Sequence, residues 1–513
     1  MSVTEIQVNN SPMNLVFILA DNQSTEALAV YGNRDVETPN IDRLAAEGIR
    51  FDRVFAVNGL CSATRATLMS GLIPSGHGMH DAIPDPLLDR LPDDWNVVRE
   101  YPTLPQILAD SGYSTAMVGK WHLGQFMQPQ IGYQYWVTFP YGHTLSFWDS
   151  QIIDNGESYS VKERHIVDVF TQKAVEFIEQ QSEDKPFYLQ LNYDGPYANP
   201  PSNYGPARNR HYNRYISKEF QDMPVEPVND NILKRINGPW APITADNLKE
   251  GGLSNMNIWS SLIYDTIRMQ GDRESYANFL SQNSIVDDGV GLVLSALERK
   301  GLLDNTLIVY SADQGNHFGQ HGTWGHTNWY FPTRLYDVAM RIPLIVRSPA
   351  RETAGSVNSA MIGQYDFMPT LLAALNVPHE PHPLAPGRDF SPLFRGGRLK
   401  NWPKAVFFEQ EETRGIRTAD SLYWQRHPEL GENVLFDLTV DPGQRHDVAS
   451  EDAYVDARRQ LDKQVTEFFE RFSDPNYDLW KGGNVKGFSL SPWKWRKLYG
   501  EEWGRRPVYQ KQK

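Results

Sequence analysis

Residue types that can act together on a substrate fall at a few places in the sequence: Asp21-Asn22, Cys61-Ser62-Ala63-Thr64-Arg65, Lys120-Trp121-His122, Asp313-Gln314 and His326. Each aspartate follows an apolar run, Leu15–Ala20 or Thr306–Ala312, and precedes an amide. Carboxylate and amide oxygens together suit a hard cation such as Ca²⁺ or Mg²⁺, whereas zinc favours histidine and cysteine. The simpler alternative for each aspartate is the start of a turn or the cap of a helix. Cys61 is the single cysteine, which excludes an intramolecular disulfide. A lone thiol is either a small core hydrophobe or a reactive centre. Lys120 and His122, taken by themselves, read as a solvated lysine and a packed histidine.

The elements that must position these residues form a recognisable pattern. Short apolar runs at Leu15–Ala20, Thr115–Val118, Phe187–Leu191, Thr306–Tyr310 and Pro343–Val346 alternate with helical spacing, which predicts a parallel α/β sheet. Thr38-Pro39-Asn40 and Thr103-Leu104-Pro105 each start a helix, and a longer one over Tyr276–Leu297 ends near Gly301. Ligands of an open parallel sheet collect outside the carboxyl ends of its strands, so Asp21 and Asp313 can converge there.

Residues 198–270 are rich in Pro, Asn, Tyr and Gly and show no sustained period, so they read as a long insertion or lid. A cluster of Pro, His and Gly near Pro378–Gly397 divides residues 1–385 from a smaller C-terminal domain over 386–479. The tail, 480–513, holds nine basic and two acidic residues with four tryptophans; it packs on its own domain or docks on a second subunit of a homo-oligomer. With 40% hydrophobic, 12% aromatic and 22% charged residues the composition is globular. A formal net charge of -14 argues against nucleic acid as the main partner. No stretch is long and apolar enough to span a bilayer, so no membrane partner is expected. The N-terminus shows no secretory pattern; with the single cysteine, this leads to a cytoplasmic expectation.

The segment Cys61-Ser-Ala-Thr-Arg65, continued by Ala66-Thr-Leu-Met-Ser-Gly71, resembles the signature of type I, formylglycine-dependent sulfatases of the alkaline phosphatase superfamily. Collinear stretches extend the resemblance from about residue 14 to 450. They are Thr38–Gly48, Gly119-Lys-Trp-His-Leu-Gly124, Asp313-Gln-Gly-Asn-His317, Arg341–Ile345 and Leu435–Gly443. The resemblance implies a large, mostly parallel mixed sheet flanked by helices, with a smaller C-terminal α+β domain containing an antiparallel sheet. It implies a sulfuric ester hydrolase acting on a small-molecule sulfate ester, with Cys61 oxidised to formylglycine by a formylglycine-generating enzyme.

By the same resemblance Asp21, Asn22, Asp313, Gln314 and the modified Cys61 hold the metal, Ca²⁺ before Mg²⁺ or Mn²⁺. Arg65, one helical turn from Cys61, orients the nucleophile. Lys120 neutralises sulfate oxygens as charge develops. His122 serves as the base that collapses the covalent intermediate, and His143 belongs to a substrate loop. The sequence departs from the family where Asn22 replaces an aspartate, Gln314 an asparagine or histidine, Ala63 a proline, Tyr197 a histidine and His326 a lysine. Tyr197 then contacts substrate without shuttling protons, and His326 becomes a candidate for the general acid. A phosphonate or phosphate ester hydrolase using the same apparatus, and a non-catalytic binder of sulfated compounds, are the alternatives.

Overall fold

The computed structural model describes residues 12–89, 91–142, 146–198, 207–230, 232, 266–349, 351–487, 489 and 491–504. His143 and much of the 198–270 stretch therefore lie outside the described residues.

The core is a ten-stranded mixed sheet. In chain order its strands are β1 (Asn14–Asp21), β2 (Ile49–Phe51), β3 (Ser114–Gly119), β4 (Tyr135–Thr138), β5 (Gln151–Asp154), β6 (Glu157–Ser160), β7 (Phe187–Pro196), β8 (Thr306–Ala312), β9 (Leu344–Arg347) and β10 (Ser356–Asn358). The spatial order is β10-β2-β9-β8-β1-β7-β3-β4-β5-β6. Strands β8, β1, β7, β3 and β4 run parallel; β9 is antiparallel to β8, and β5 and β6 close the other side as an antiparallel ribbon. Every residue of β1, β7 and β8 is buried. A strand covered on both faces needs a continuous apolar run, and those are the runs visible in the sequence.

Helices supply the cover. They include α1 (Pro39–Glu47), α2 (Cys61–Ser70), α3 (Ile166–Glu179) and α4 (Arg273–Arg299). Helices α3 and α4 pack on each other and on β7. Asp272 caps α4 by accepting from the Ser275 N–H at 2.9 Å. All ten residues of α2 are buried, which its Ser, Ala and Thr side chains permit because other elements can approach closely on every side. It stops at Gly71, whose φ of 71° suits a residue without a Cβ.

The C-terminal part is an antiparallel sheet of β11 (Ala405–Gln410), β12 (Thr413–Thr418), β13 (Ser421–Arg426) and β14 (Val434–Asp437). One face is covered by α5 (Val455–Phe472), where Tyr423 donates to Asp462 Oδ1 at 2.8 Å. Phe390 and Phe394, upstream of this sheet, pack on Phe51 of the large sheet at ring-centroid distances of 5.6 and 6.4 Å. The tail folds back on the same chain through α6 (Pro492–Tyr499): Trp495 is fully buried and the Lys494 ammonium sits between Glu411 and Glu412. Within 198–270 the described residues include a short helix, Tyr212–Ile216, packed on α4.

One glycine fixes how closely β3 and β7 meet. Gly119 has a φ of +108°, and a Cβ there would lie 1.8 Å from the Asn192 carbonyl oxygen. Gly112 also has positive φ, +90°, but faces open space. Gly119→Ala is expected to cost about 3 kcal/mol or more from strain and overlap together, against about 1 kcal/mol for Gly112→Ala from strain alone. Equilibrium urea unfolding of the two variants measures the difference; equal costs would mean that the approach of Asn192 is not constrained.

Candidate active site

The parallel strands deliver their last residues to one place. Ala20 pairs with Ala312 and Gly119 with Asn192, so Asp21, Asp313, Lys120 and Asp194 all emerge at the carboxyl ends of neighbouring strands. Helix α2 brings Cys61 to the same point on its first residue, with Asn58 Oδ1 accepting from the Leu60 N–H just before it. The positive end of a helix favours negative charge at that position.

The cluster is dry. Asp21, Asn22, Lys120, Asp313 and Gln314 have zero exposure, and Cys61 and Arg65 at most 2%. Cys61 Sγ lies 3.5 Å from Asp21 Oδ1, 3.5 Å from Lys120 Nζ and 3.0 Å from Gln314 Nε2. Lys120 Nζ donates to Asp21 Oδ2 at 2.5 Å. Arg65 donates to Asp313 Oδ2 from Nε at 3.0 Å and Nη2 at 2.8 Å, and from Nη1 to the Lys120 carbonyl at 2.8 Å. The Asn22 and Gln314 backbone N–H groups donate to Asp313 Oδ1 at 3.1 and 2.8 Å.

This packing splits the acids. Burial pushes the Asp21 carboxyl up, but Lys120 and then Arg65 outweigh it and hold the group below the usual carboxylate range. Burial, then the Asp21 charge, push Asp313 up against the pull of Arg65. Burial likewise drives Asp194 well up, and among the described residues neither of its oxygens takes a hydrogen bond from an N–H donor. Burial and Asp21 keep the Cys61 thiol protonated. Burial disfavours the Lys120 ammonium, yet Asp21 keeps it charged. Environments that separate like groups in this way mark catalytic sites.

The donor set fits a hard divalent cation. Ligand atoms of Asp21, Cys61 and Asp313 all lie within 4.8 Å of one another. The Asn22 amide oxygen points at the Cys61 sulfur at 3.9 Å, while its buried Nδ2 has no acceptor among the described residues. Gln314 is the exception: its Nε2 faces Asn22 Oδ1 and Cys61, and its Oε1 accepts from Thr64 Oγ1 at 3.1 Å. Turning that amide over presents the oxygen to the cluster and its NH₂ to Thr64, whose hydroxyl already has the Cys61 carbonyl at 2.9 Å as an acceptor. Thr64 is thus a positioning residue that sequence reading missed.

The substrate-side residues assemble next to the cluster. Tyr197, whose N–H donates to the Asp21 carbonyl at 3.0 Å, has its ring 5.1 Å from Lys120 Nζ and 6.2 Å from the His326 ring. Burial drives the Tyr197 phenol well above its usual range. His122 is buried with a φ of 53°, and its Nε2 is paired with the Ile83 carbonyl at 3.0 Å. The Ile83 N–H donates to Ser62, so His122 is tied to the neighbour of Cys61. Gly142 packs on the His122 ring, where a Cβ would lie 1.8 Å from Cδ2. His143, one residue on, is outside the described residues.

The C-terminal sheet contributes as well. Gln410 Oε1 accepts from the Gly59 N–H at 3.3 Å and from Thr327 Oγ1 at 2.5 Å, linking the approach to Cys61 with the neighbour of His326. Glu412 accepts from the Thr333 N–H at 2.5 Å and from Lys494 at 2.5 Å. Nothing in the sequence marked Gln410. Asp194 carried a signal that went unused, an acidic residue at the end of an apolar run.

Two cations packed around a candidate nucleophile suit an enzyme that breaks an anionic ester. The family model described as Sulfatase matches residues 13–377, and one described as N-sulphoglucosamine sulphohydrolase, C-terminal, matches 325–471. The chain belongs to the sulfatase family. It is 28% identical to an N-acetylglucosamine-6-O-sulfatase of Bacteroides thetaiotaomicron, over 91% of this chain and 88% of that protein. It is 24% identical to the human N-acetylgalactosamine-6-sulfatase, over 78% of this chain and 69% of the relative. Among solved structures, a protein in complex with its substrate D-glucosamine-2-N,6-O-disulfate superposes with a TM-score of 0.67 at 24% identity, covering 90% of this chain and 98% of the other. A phosphonate monoester hydrolase of Agrobacterium radiobacter shares the fold, with a TM-score of 0.65 at 18% identity over 90% of this chain and 96% of the other. The protein is a sulfuric ester hydrolase of a family that works with a metal ion and a modified cysteine.

Cation binding should be linked to pH through Asp313. Its carboxyl is raised by burial and Asp21, so at low pH a proton occupies the oxygen that a cation needs. Affinity for Ca²⁺ should therefore rise with pH by up to roughly tenfold per unit until Asp313 ionises, with a proton released on binding. Calorimetric titration in two buffers of different ionisation heat reads that proton; pH-independent affinity without release would show Asp313 ionised throughout.

Proposed function

We propose that this chain hydrolyses a sulfate ester of a sugar, using formylglycine made from Cys61 and a Ca²⁺ ion held by Asp21, Asn22, Asp313 and Gln314. The observation that carries the reading is the placement of Cys61 Sγ, within 3.5 Å of both Asp21 and Lys120 in a site closed to water. The name of the Bacteroides relative, an N-acetylglucosamine-6-O-sulfatase aligned over most of both chains, supports a sugar as the alcohol. Because Cys61 is buried on an inner helix, the formylglycine-generating enzyme must act before α2 is packed.

Hydrated formylglycine supplies an oxygen nucleophile, and the cation supplies the charge that keeps it reactive near neutral pH. The protein's own groups do the remaining work. Lys120 and Arg65, both kept charged, together with the cation outweigh Asp21 and Asp313 and make the site attractive to a sulfate monoanion. Arg65, fixed by Asp313 and the Lys120 carbonyl, holds the donor side of the site rigid. Lys120, already held in place by Asp21, neutralises the charge that builds on the sulfate oxygens. Tyr197 keeps its proton and forms a wall. His326, across that ring, gives a proton to the departing sugar oxygen. His122, held by the Ile83 carbonyl at Nε2, takes the proton in the second half of the cycle.

The test is sulfate release from N-acetylglucosamine 6-sulfate, beside 4-nitrophenyl sulfate and a phenylphosphonate ester. Sugar sulfate should be the preferred substrate, and Cys61→Ala should lower its turnover about a thousandfold or more. Retention of that turnover in Cys61→Ala, or preference for the phosphonate, would defeat the proposal. His326→Ala should lower kcat/KM about 10²- to 10⁴-fold for the sugar sulfate, whose leaving group needs a proton. The same variant should lose less than about tenfold on 4-nitrophenyl sulfate, whose leaving group does not. Equal losses on both would assign His326 to binding.

A further inference from the structure

His326 sits between two anchors, and each ties it to a segment that carries cation ligands or the nucleophile. On one side Trp324 and Gly325 pair antiparallel with Phe318 and His317, in the segment that begins at Asp313. The Gly325 carbonyl is also paired with His317 Nδ1 at 3.2 Å. On the other side Thr327, fully buried, lies against Gly59, two residues before Cys61. A Cβ on Gly59 would fall 2.1 Å from Thr327 Oγ1, so the two segments meet with no room between them.

The loop before Cys61 is in turn stitched to β11, the outer strand of the C-terminal sheet. The Glu409 N–H donates to the Val57 carbonyl at 2.9 Å, and Asn58 Nδ2 donates to the Glu409 carbonyl at 2.8 Å. One atom joins all three pieces. Gln410 Oε1, on a side chain 2% exposed, accepts from both the Gly59 N–H and the Thr327 hydroxyl. Neither the bonds of Glu409 nor the pairing of Gly325 with His317 uses that oxygen, so the segments stay on the sheet without it. What Gln410 adds is the spacing between the backbone after His326 and the backbone before Cys61. Proton transfer requires a donor within hydrogen-bond reach, and a misplacement of about 1 Å can cost roughly a hundredfold in rate.

We propose that Gln410 is a positioning residue for the reaction: by holding Thr327 on Gly59 it sets the distance of His326 from the group formed at Cys61. This rests on the reading of His326 as a residue that acts on the substrate, and it assigns the placement of that residue to the C-terminal sheet.

The test is a double-mutant cycle on the full chain, with N-acetylglucosamine 6-sulfate as substrate. Gln410→Met keeps the length of the side chain and removes the acceptor. Thr327→Val keeps the shape and removes the donor, and Thr327→Ser keeps the hydroxyl. The first two should lower kcat/KM about 10- to 100-fold, and Thr327→Ser should stay within about threefold of the unaltered chain. In the His326→Ala background Gln410→Met should cost less than about twofold more, because the group it places is gone. A merely structural bond would lower turnover equally with and without His326. That result, an unchanged kcat/KM in Gln410→Met, or a Thr327→Ser as slow as Thr327→Val would each overturn the proposal. If Gln410→Met does not fold, Thr327→Val carries the same cycle. A second readout needs no turnover. With isotope-labelled histidine, the His326 imidazole resonance, assigned by its loss in His326→Ala, should move in Gln410→Met and Thr327→Val and stay in place in Thr327→Ser. An unmoved resonance in the first two would overturn the placement by Gln410. Absence of sulfate release by the unaltered chain would sink the proposed function and leave this resonance to decide.

Discussion

Four ionised or ionisable side chains, Asp21, Arg65, Lys120 and Asp313, meet where almost no water reaches, and each is tolerable only because of the others. Removing one partner from such a set leaves an uncompensated buried charge, which costs about 3–5 kcal/mol. The fold can be read as the means of meeting that demand. Register between β1, β7 and β8 sets the spacing of the carboxylates. The small side chains of α2 let a helix start in the middle of the structure. Gly119 brings the Lys120 backbone against Asn192, whose side-chain amide also donates to the Lys120 carbonyl at 2.9 Å. The same cluster is stable without a substrate and electrostatically prepared for one, since its donors need not reorganise when an anion arrives.

The C-terminal sheet belongs to the same construction. The turn between β11 and β12 places Gln410, Glu411 and Glu412 where catalytic segments and tail meet. Burial alone would raise the Glu412 carboxyl, but Lys494 and Arg426 hold it low, so it stays a charged acceptor for the Thr333 N–H. Trp493 packs against Phe331 at 5.0 Å, and Phe331 lies five residues beyond His326. A tail that would otherwise be a basic, aromatic appendage is thereby part of the scaffold beneath the segment that follows His326.

The positions of the strands and the chemistry of their last residues were legible because burial on both faces forces apolar runs, and an acid after such a run stands out. For Cys61 and Arg65 the reading came from the resemblance to the sulfatase signature, and helical spacing explains it, since a helix that begins at the one returns the other after a turn. What sequence could not show were properties that depend on distant partners. Lys494 reads as a surface charge until Glu411 and Glu412 are placed around it. Gln314 is a ligand by its place after Asp313 and by the resemblance, whereas its amide orientation depends on Thr64, 250 positions away. Asp194 stands in the sequence as an acid after an apolar run, and only its strand's place beside β1 makes it a buried acid next to Lys120.

In the proposed mechanism Tyr197 and His326, where the resemblance leads one to expect histidine and lysine, act as a pair. A lysine at position 326 would carry permanent charge and hold its proton near neutral pH, whereas an imidazole can give one up there. A histidine at position 197 would do the opposite of the tyrosine that is present, whose proton is fixed by burial. Exchanging both keeps one aromatic wall and one proton donor in the site but moves the donor to the chain segment braced by Gln410 and Glu412. In the proposed mechanism the acid is therefore supplied from the side of the C-terminal sheet. Rigidity there matters more than it would for a diffuse lysine charge, because proton transfer demands a donor within hydrogen-bond reach of the leaving oxygen, and electrostatic stabilisation does not.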